Sequence, residues 1–582
     1  MEAWLALAAI LIPWLGALVV WWAGEERQDG VHAIAVLIAL TAGAASLLLM
    51  PHVGSNMVFA INAGPFFGVF TFLLDGMGVF LSAVACVVGA LAVLFSVDYM
   101  RGEQQLSRYY ALILLFIGAM VGLALTGSML LLFFFWEITA FCSYALISFD
   151  NDDPKAVAGG MKALIMTQLG GIGLLAGALV VRSAVGSFQI ADFLAGADSV
   201  APDVLGLMAF GFLFAAAAKS AQAPFHTWLP GAMEAPTPIS ALIHAATMVN
   251  AGVYLLGRFY PAFESVPGWK TAVVVVGVVS ASLAALMALV ANDLKRVLAY
   301  STISQLGYMV YAVGVGGVFA SQFHLLSHAV FKALLFLGAG AVIHAVGTRD
   351  MREMGGLGSK MPLIRNTFII GSFALAGIPI LNGFWSKELI LEAGLAGGAM
   401  WAYAVMLLGA GFTALYTCRM VWMVFFGEPH SKHHLHDAPF FMGLPLTILA
   451  AGTLSTWLLA GPFGRMLAES LPYHNLRVET TGELVKTILT ANATWVAMGV
   501  IALGILCWLG RSRLAPFTKM FGFLRRAAEV DFGFEAANRA IVTAFRTAAD
   551  RLSVTQSGVL SMNVLGIVGG LILTLVILAW GV

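Results

Sequence analysis

Long apolar runs separated by short polar breaks dominate the chain. Runs long enough to cross a hydrocarbon core of about 30 Å fall near 3–22, 31–50, 76–97, 109–126, 128–149, 160–182, 204–223 and 236–259. They continue near 271–291, 297–316, 318–346, 363–382, 398–426, 440–461, 491–510 and 561–581. The pattern predicts an all-α polytopic membrane protein with about sixteen transmembrane helices. No ten-residue segment alternates apolar and polar positions as a membrane β-barrel strand must, so no strands are needed. An even number of spans puts both termini on one side. Met1-Glu2 lacks the basic start of a signal peptide, so the first run reads as a retained membrane helix.

Residues 511–560 break the pattern. Charge is densest there, and Phe534, Ile541, Phe545 and Leu552 recur at spacings of four and seven, with Arg539, Asp550 and Arg551 between them. This predicts an amphipathic lateral helix along the membrane surface or along partner subunits. The organisation expected from these patterns is 1–108, N-terminal helices; 109–259 and 271–426, two half-channels; 427–510, peripheral helices; 511–560, the lateral segment; and 561–582, a terminal anchor.

Composition agrees. Apolar residues make up 60% of the 582 and charged residues only 10%, against roughly 25% in soluble domains. That excludes a soluble enzyme, and the hydrophobicity excludes disorder. Thirty basic and thirty acidic residues leave no basic surplus for nucleic acid. Cys86, Cys142, Cys418 and Cys507 lack metal-cluster spacing and read as buried hydrophobes. Loops on the terminus side hold few cations: Arg258, Lys270, Lys387, Arg465, Arg477 and Lys486. The opposite loops hold roughly three times as many, among them Arg27, Arg101, Arg108, Lys295, Arg349 and Lys432. Both termini are therefore expected outside a cytoplasmic (inner) membrane.

The informative charges are those inside the spans, where burial is costly and function is the default reading. Glu137 follows Leu131-Leu132-Phe133-Phe134-Phe135-Trp136; Lys219 follows four alanines; Lys332 has apolar sequence on both sides; Lys387 follows Phe384-Trp385-Ser386. Desolvation weakens a lysine's hold on its proton and a nearby carboxylate restores it. A Glu–Lys pair can thus couple proton transfers. His244 lies in an apolar stretch, and His324 and His328 share a helix face one turn before Lys332. That alignment favours a proton path over a metal site. His430, His433, His434 and His436 read as a polar loop. Pro224 and Pro379 lie close to Lys219 and Lys387, which predicts two broken helices lining a polar cavity, one in each five-helix unit of an inverted repeat. Gly171-Ile172-Gly173-Leu174-Leu175-Ala176-Gly177 echoes a dinucleotide loop, but no strand precedes it, so it reads as close helix packing.

Several segments carry a family resemblance: Phe135-Trp136-Glu137; Lys219-Ser220-Ala221-Gln222-Ala223-Pro224-Phe225-His226-Thr227-Trp228-Leu229-Pro230; Met233-Glu234-Ala235-Pro236-Thr237-Pro238; His244-Ala245-Ala246-Thr247-Met248-Val249; Asp293-Leu294-Lys295-Arg296; and the run from His324 to His344. Over residues 75 to about 430 the chain resembles the antiporter-like subunits of complex I, most closely subunit 5 (subunit L). It is similar also to the matching subunits of Mrp-type sodium/proton antiporters and of membrane-bound hydrogenases. The resemblance implies a proton-translocating module driven by redox chemistry elsewhere. Glu137 and Lys219 match the family's coupling pair, Lys332 its central lysine and Lys387 its terminal lysine. His244, His324 and His328 match connecting groups, and Lys295 a further polar position. No cofactor is expected in this chain; NADH or another donor, iron–sulfur clusters and quinone are expected in partner subunits. Leu169-Gly170-Gly171 resembles the antiporter branch, and Asn250 matches neither branch. The alternatives are sodium/proton exchange without redox drive and a membrane scaffold.

Overall fold

A computed structural model describes residues 2–24, 28–54, 59–62, 64, 68–428, 437–553, 564 and 568–571. The four loop histidines at 430–436, Arg27, Lys432 and most of the expected last span at 561–581 lie outside them. Two compact units are distinguished, Met1–Arg525 and Arg526–Val582.

The first unit is a helical bundle. In chain order its main helices are α1 Glu2–Ala23, α2 Gln28–Leu47, α3 Gly76–Tyr99, α4 Leu106–Leu125, α5 Met129–Ile147, α6 Pro154–Val185 and α7 Pro202–Lys219. Then come α8 Thr237–Phe263, α9 Trp269–Val290, α10 Leu294–Gly314, α11 Val318–Val346, α12 Pro362–Ala376, α13 Asn382–Gly397, α14 Met400–Phe426, α15 Phe440–Ser470, α16 Thr481–Thr490 and α17 Asn492–Leu509. Among the described residues, 13 helices are long and apolar enough to cross a membrane. This is a multi-pass, all-α membrane architecture. The α10 run is long enough but carries Ser301, Thr302, Ser304 and Gln305, all buried inside the bundle rather than facing lipid. Gly377 ends α12 early by adopting a left-handed conformation, φ +85°.

Burial sorts the helices. The spanning stretch of α8 is wholly buried and α3 nearly so, whereas α1, α2, α6 and α17 expose much of their length. Leu, Ile, Val and Trp side chains on those outer helices form the surface that a bilayer would cover.

The expectation of no strands needs correction. Phe59–Asn62 pairs antiparallel with Val69–Phe72, Phe59 opposite Phe72. This short hairpin lies in the α2–α3 connection and crosses no membrane. Single bridges Phe72–Thr126 and Ser128–Gln189 tie that connection to the loops after α4 and α6. These loops share the face at which α1 begins, the first face. Loops 100–105, 149–153 and 291–293 lie on the opposite face.

The lateral segment is also not one helix. It forms α18 Arg511–Met520, α19 Gly522–Glu529 and α20 Phe534–Ser553. Asp531, Phe532 and Gly533 all take positive φ, at 55°, 49° and 83°, and break the helix between α19 and α20. Within the second unit, Ile541 and Phe545 of α20 are exposed, in keeping with an apolar face.

Candidate functional site

The first pair of ionisable groups meets where α5, α6 and α7 cross. Lys219 is the last residue of α7; the chain then turns away, with Ala221 at φ +49°. The lysine is fully buried. Its Nζ donates to the Trp136 carbonyl at 2.7 Å and lies 4.8 Å from the Trp136 ring centroid. Glu137 follows Trp136, and both its carboxylate oxygens are buried with no hydrogen-bond partner among the described residues. The carboxylate lies against α6: a Cβ built on Gly171 would stand 2.1 Å from Glu137 Oε1. Gly170 and Gly173 abut Ala218 and the Gly211 carbonyl. The glycine run is a close-packing seam, and one of its glycines makes room for the carboxylate.

After Lys219 the backbone is broken. Trp228 Nε1 donates to the Ala218 carbonyl at 3.0 Å, satisfying a group freed by the break. The Trp228 ring lies 6.2 Å from that of His244. His244 occupies a π-helical turn, Leu242–Ala246, inside α8. Thr247 Oγ1 donates to the Leu242 carbonyl at 2.6 Å and Asn250 Nδ2 to the Ala245 carbonyl at 2.9 Å. Sequence reasoning missed this third break, because no proline marks it. His244 is fully buried, neither ring nitrogen has a hydrogen-bond partner among the described residues, and its ring lies 5.8 Å from Phe336. Phe336 is one turn beyond Lys332, whose Nζ is 6.0 Å from the Phe336 centroid.

The second group of residues lines α11. The rings of His324 and His328 are 6.4 Å apart. His324 bonds Gln305 Oε1 at 3.0 Å and Ser386 Oγ at 2.9 Å. His328 faces the Ala245 carbonyl, with neither ring nitrogen in hydrogen-bond geometry. Lys332 Nζ donates to the Leu298 carbonyl at 3.1 Å and to Ser301 Oγ. Ser386 precedes Lys387, so its hydroxyl ties the histidine row to the helix that carries the last lysine. Lys387 Nζ donates to the Leu375 carbonyl at 2.8 Å, in the last turn of α12. Thus Glu137 adjoins Lys219, His244 lies between the two halves, and His324, His328 and Lys332 lead to Lys387.

Two further residues counted as loop cations are, like Lys387, buried instead. Lys295, at the start of α10, is 3% exposed and donates to the Ala235 carbonyl at 2.6 Å. It borders a cavity of about 560 Å³ on the opposite face, with Glu103, Asp150 and Glu234. Arg349 pairs there with Glu234 at 2.8 Å and Asp293 at 3.3 Å. Arg258, also 3% exposed, pairs with Asp75 across α8 and α3. Glu388 went unnoticed in the sequence beside Lys387; it is 3% exposed. Glu392, one turn on, lines a cavity of about 410 Å³ on the first face with Arg477 and Glu479.

A match to the family described as NADH:quinone oxidoreductase/Mrp antiporter, TM, covers residues 126–413. A match to the complex I chain 5 N-terminus covers 61–110. NADH-quinone oxidoreductase subunit L of Mycobacterium tuberculosis is 36% identical over 560 residues, 92% of this chain and 87% of its own. The chain belongs to this family of membrane subunits. Another member, NAD(P)H-quinone oxidoreductase chain 5 of Picosynechococcus, is 37% identical over 78% of this chain and 76% of its own. A Na(+)/H(+) antiporter subunit of Staphylococcus haemolyticus is 34% identical over 79% of this chain and 62% of its own. Among solved structures, the Mrp complex from Dietzia superposes at TM-score 0.84 and 28% identity, over 99% of this chain and 63% of that one. The archaeal membrane-bound sulfane sulfur reductase superposes at TM-score 0.72 and 27% identity, over 83% and 99%. The chain spans less than two thirds of both antiporter chains. These solved relatives are parts of multi-subunit membrane complexes.

Proposed function

We infer that this chain is the proton-translocating membrane subunit of a complex I-like, redox-driven pump. The observation that carries the reading is the set of fully buried titratable groups, Lys219, His244, His328, His324, Lys332 and Lys387, on helices of both halves of the bundle. A scaffold has no use for their desolvation. The two halves are read as inverted five-helix repeats, α4–α8 and α9–α14, with α12 and α13 counted as one broken helix. The fourth helix of each is interrupted beside Lys219 or Lys387, as in transporters built from inverted repeats. The terminal helices, lateral segment and last anchor complete the proposed organisation.

In this reading the opposite face is cytoplasmic and both termini lie outside. Protons enter at the Lys295 cavity, where carboxylates gather them. A signal from a neighbouring subunit changes the Glu137–Lys219 pair, and the proton passes by His244 to the Lys332 row. Lys387 then releases it past Glu388 and Glu392 into the outer cavity. NADH or another donor, iron–sulfur clusters and quinone belong to partner subunits. Buried polar atoms without partners among the described residues, Gln222 Oε1, Ser304 Oγ and Tyr311 Oη among them, are where ordered water would join the steps.

The test is proton uptake into vesicles during donor oxidation by the complete complex. Lys219→Ala should abolish uptake and Lys332→Ala should lower it, while electron transfer continues. Unchanged uptake in both rejects the relay. Sodium/proton exchange of the Mrp type is the second reading, favoured by the superposition of nearly the whole chain on an Mrp structure. Exchange driven by an ion gradient, without an electron donor, would decide for it.

A further inference from the structure

The relay leaves one cavity on the first face without a role. It measures about 360 Å³ and is bounded by Leu74, Asp75, Ile190, Arg258, Glu469 and His474. Arg258 is held inside it: Nη2 bonds Asp75 Oδ1 at 3.0 Å and the Tyr254 hydroxyl at 2.8 Å. His474, from the segment after α15, bonds the Gly257 carbonyl through Nε2 at 2.8 Å. Gln322 of α11 reaches the same glycine. A Cβ built on Gly257 would stand 2.7 Å from its amide nitrogen, so only glycine lets the amide approach. Gln322 is fully buried, and neither amide atom has a hydrogen-bond partner among the described residues. Two turns back along α8, about 10 Å at 1.5 Å per residue, Asn250 shares the face of Gly257. Its Oδ1 is buried and equally unpartnered, while its Nδ2 holds the Ala245 carbonyl next to His244.

Buried amides in native proteins are satisfied by protein or by ordered water. Here two of them stand in line between the α8 break and the cavity. We propose that Asn250 and Gln322 position a file of water that carries protons between His244 and the first face, with His474 at its mouth. Each water accepts one proton and passes another on, so only a proton moves. The Asp75 carboxylate neutralises Arg258, so the mouth does not repel a cation. The first half of the bundle thereby has its own opening, separate from that beyond Lys387. This rests on the proton-relay reading and on the outward assignment of the first face.

The experiment is donor-driven proton uptake by the assembled complex in vesicles, scored per electron transferred. Lys387→Ala should retain part of the uptake. Adding Gln322→Leu or His474→Phe to it should bring uptake to background, and Gln322→Asn, which keeps the amide, should restore it. If Lys387→Ala alone abolishes uptake, or if neither added variant lowers what remains, the branch is overturned. If Lys219→Ala leaves uptake untouched, the relay fails and the branch falls with it; loss in Lys219→Ala with no added effect of Gln322→Leu or His474→Phe condemns the branch alone. Should Gln322→Leu fail to assemble, His474→Phe and Asn250→Leu in the Lys387→Ala background give the same reading.

Discussion

Lys219 is anchored on the carbonyl of Trp136, 2.7 Å away, rather than on the carboxylate of the next residue, Glu137. The carboxylate therefore acts on the lysine as a neighbouring charge and can be neutralised without unseating it. Glu137→Gln should keep assembly and electron transfer and lower proton uptake by about tenfold or more, because an opposite charge beyond contact distance in a partly dry site is still worth about 2 kcal/mol. Uptake per electron at the wild-type level would show that the charge is not used.

Gly171 and Gly173 make a contrasting pair. A methyl group on Gly171 meets Glu137 Oε1, whereas one on Gly173 meets the Gly211 carbonyl at 2.6 Å. Gly171→Ala should impair proton uptake in an assembled complex. Gly173→Ala should instead weaken the α6–α7 seam, at a cost of about 1–3 kcal/mol typical of overpacking, and show as a lower melting temperature. Thermal unfolding and uptake measured on both variants separate the two effects.

Asp75 and Arg258 are a buried ion pair joining α3 to α8. Removing one partner strands the other charge away from water. Asp75→Asn or Arg258→Met should each cost about 3–5 kcal/mol. The double variant should cost less than the two singles added together. Unfolding midpoints of the four proteins test this; strict additivity would mean the pair contributes nothing.

His474 supplies a dependence on pH. Burial pushes its imidazole down to about 4, despite the bond to the Gly257 carbonyl. The unfolded chain, near 6.5, binds the proton more readily, so acid favours unfolding. The histidine's contribution is complete above pH 6.5 and is lost as pH falls through 4. Thermal unfolding between pH 7 and 4.5 should show a downward slope that His474→Gln reduces. A slope identical in the variant would assign the acid sensitivity to other groups.

Much of this was legible in the sequence. Glu137, Lys219 and Lys332 stand out because each interrupts an apolar run, and the structure buries all three lysines of the row, Lys387 included. Arg258 did not stand out. The eighth run ends near residue 259, so the arginine reads as a cation at its loop margin, whereas α8 continues to Phe263. Its partner Asp75 lies 183 residues away, a distance no periodicity reveals. Lys295 followed the same course, being charged, close to a helix start and buried only by tertiary contacts. The hairpin was missed because each strand is four residues long, too short to express a period. The apolar spacing read in the lateral segment, Phe534 to Leu552, falls wholly within α20, so it carried no sign of the break at 531–533 that the backbone angles disclose.

The helix α11 runs unbroken from Val318 to Val346 and carries His324, His328 and Lys332, whereas α8 and the α12–α13 pair beside it are interrupted. A continuous helix cannot stretch. Its three titratable groups stay about 6 Å apart along the axis whatever its neighbours do. In the proposed relay the distance between donors is thus a constant. What that relay leaves adjustable is the wetting of the gaps between them, beside the broken helices on either side. Its control element is then a valve on water rather than a moving arm.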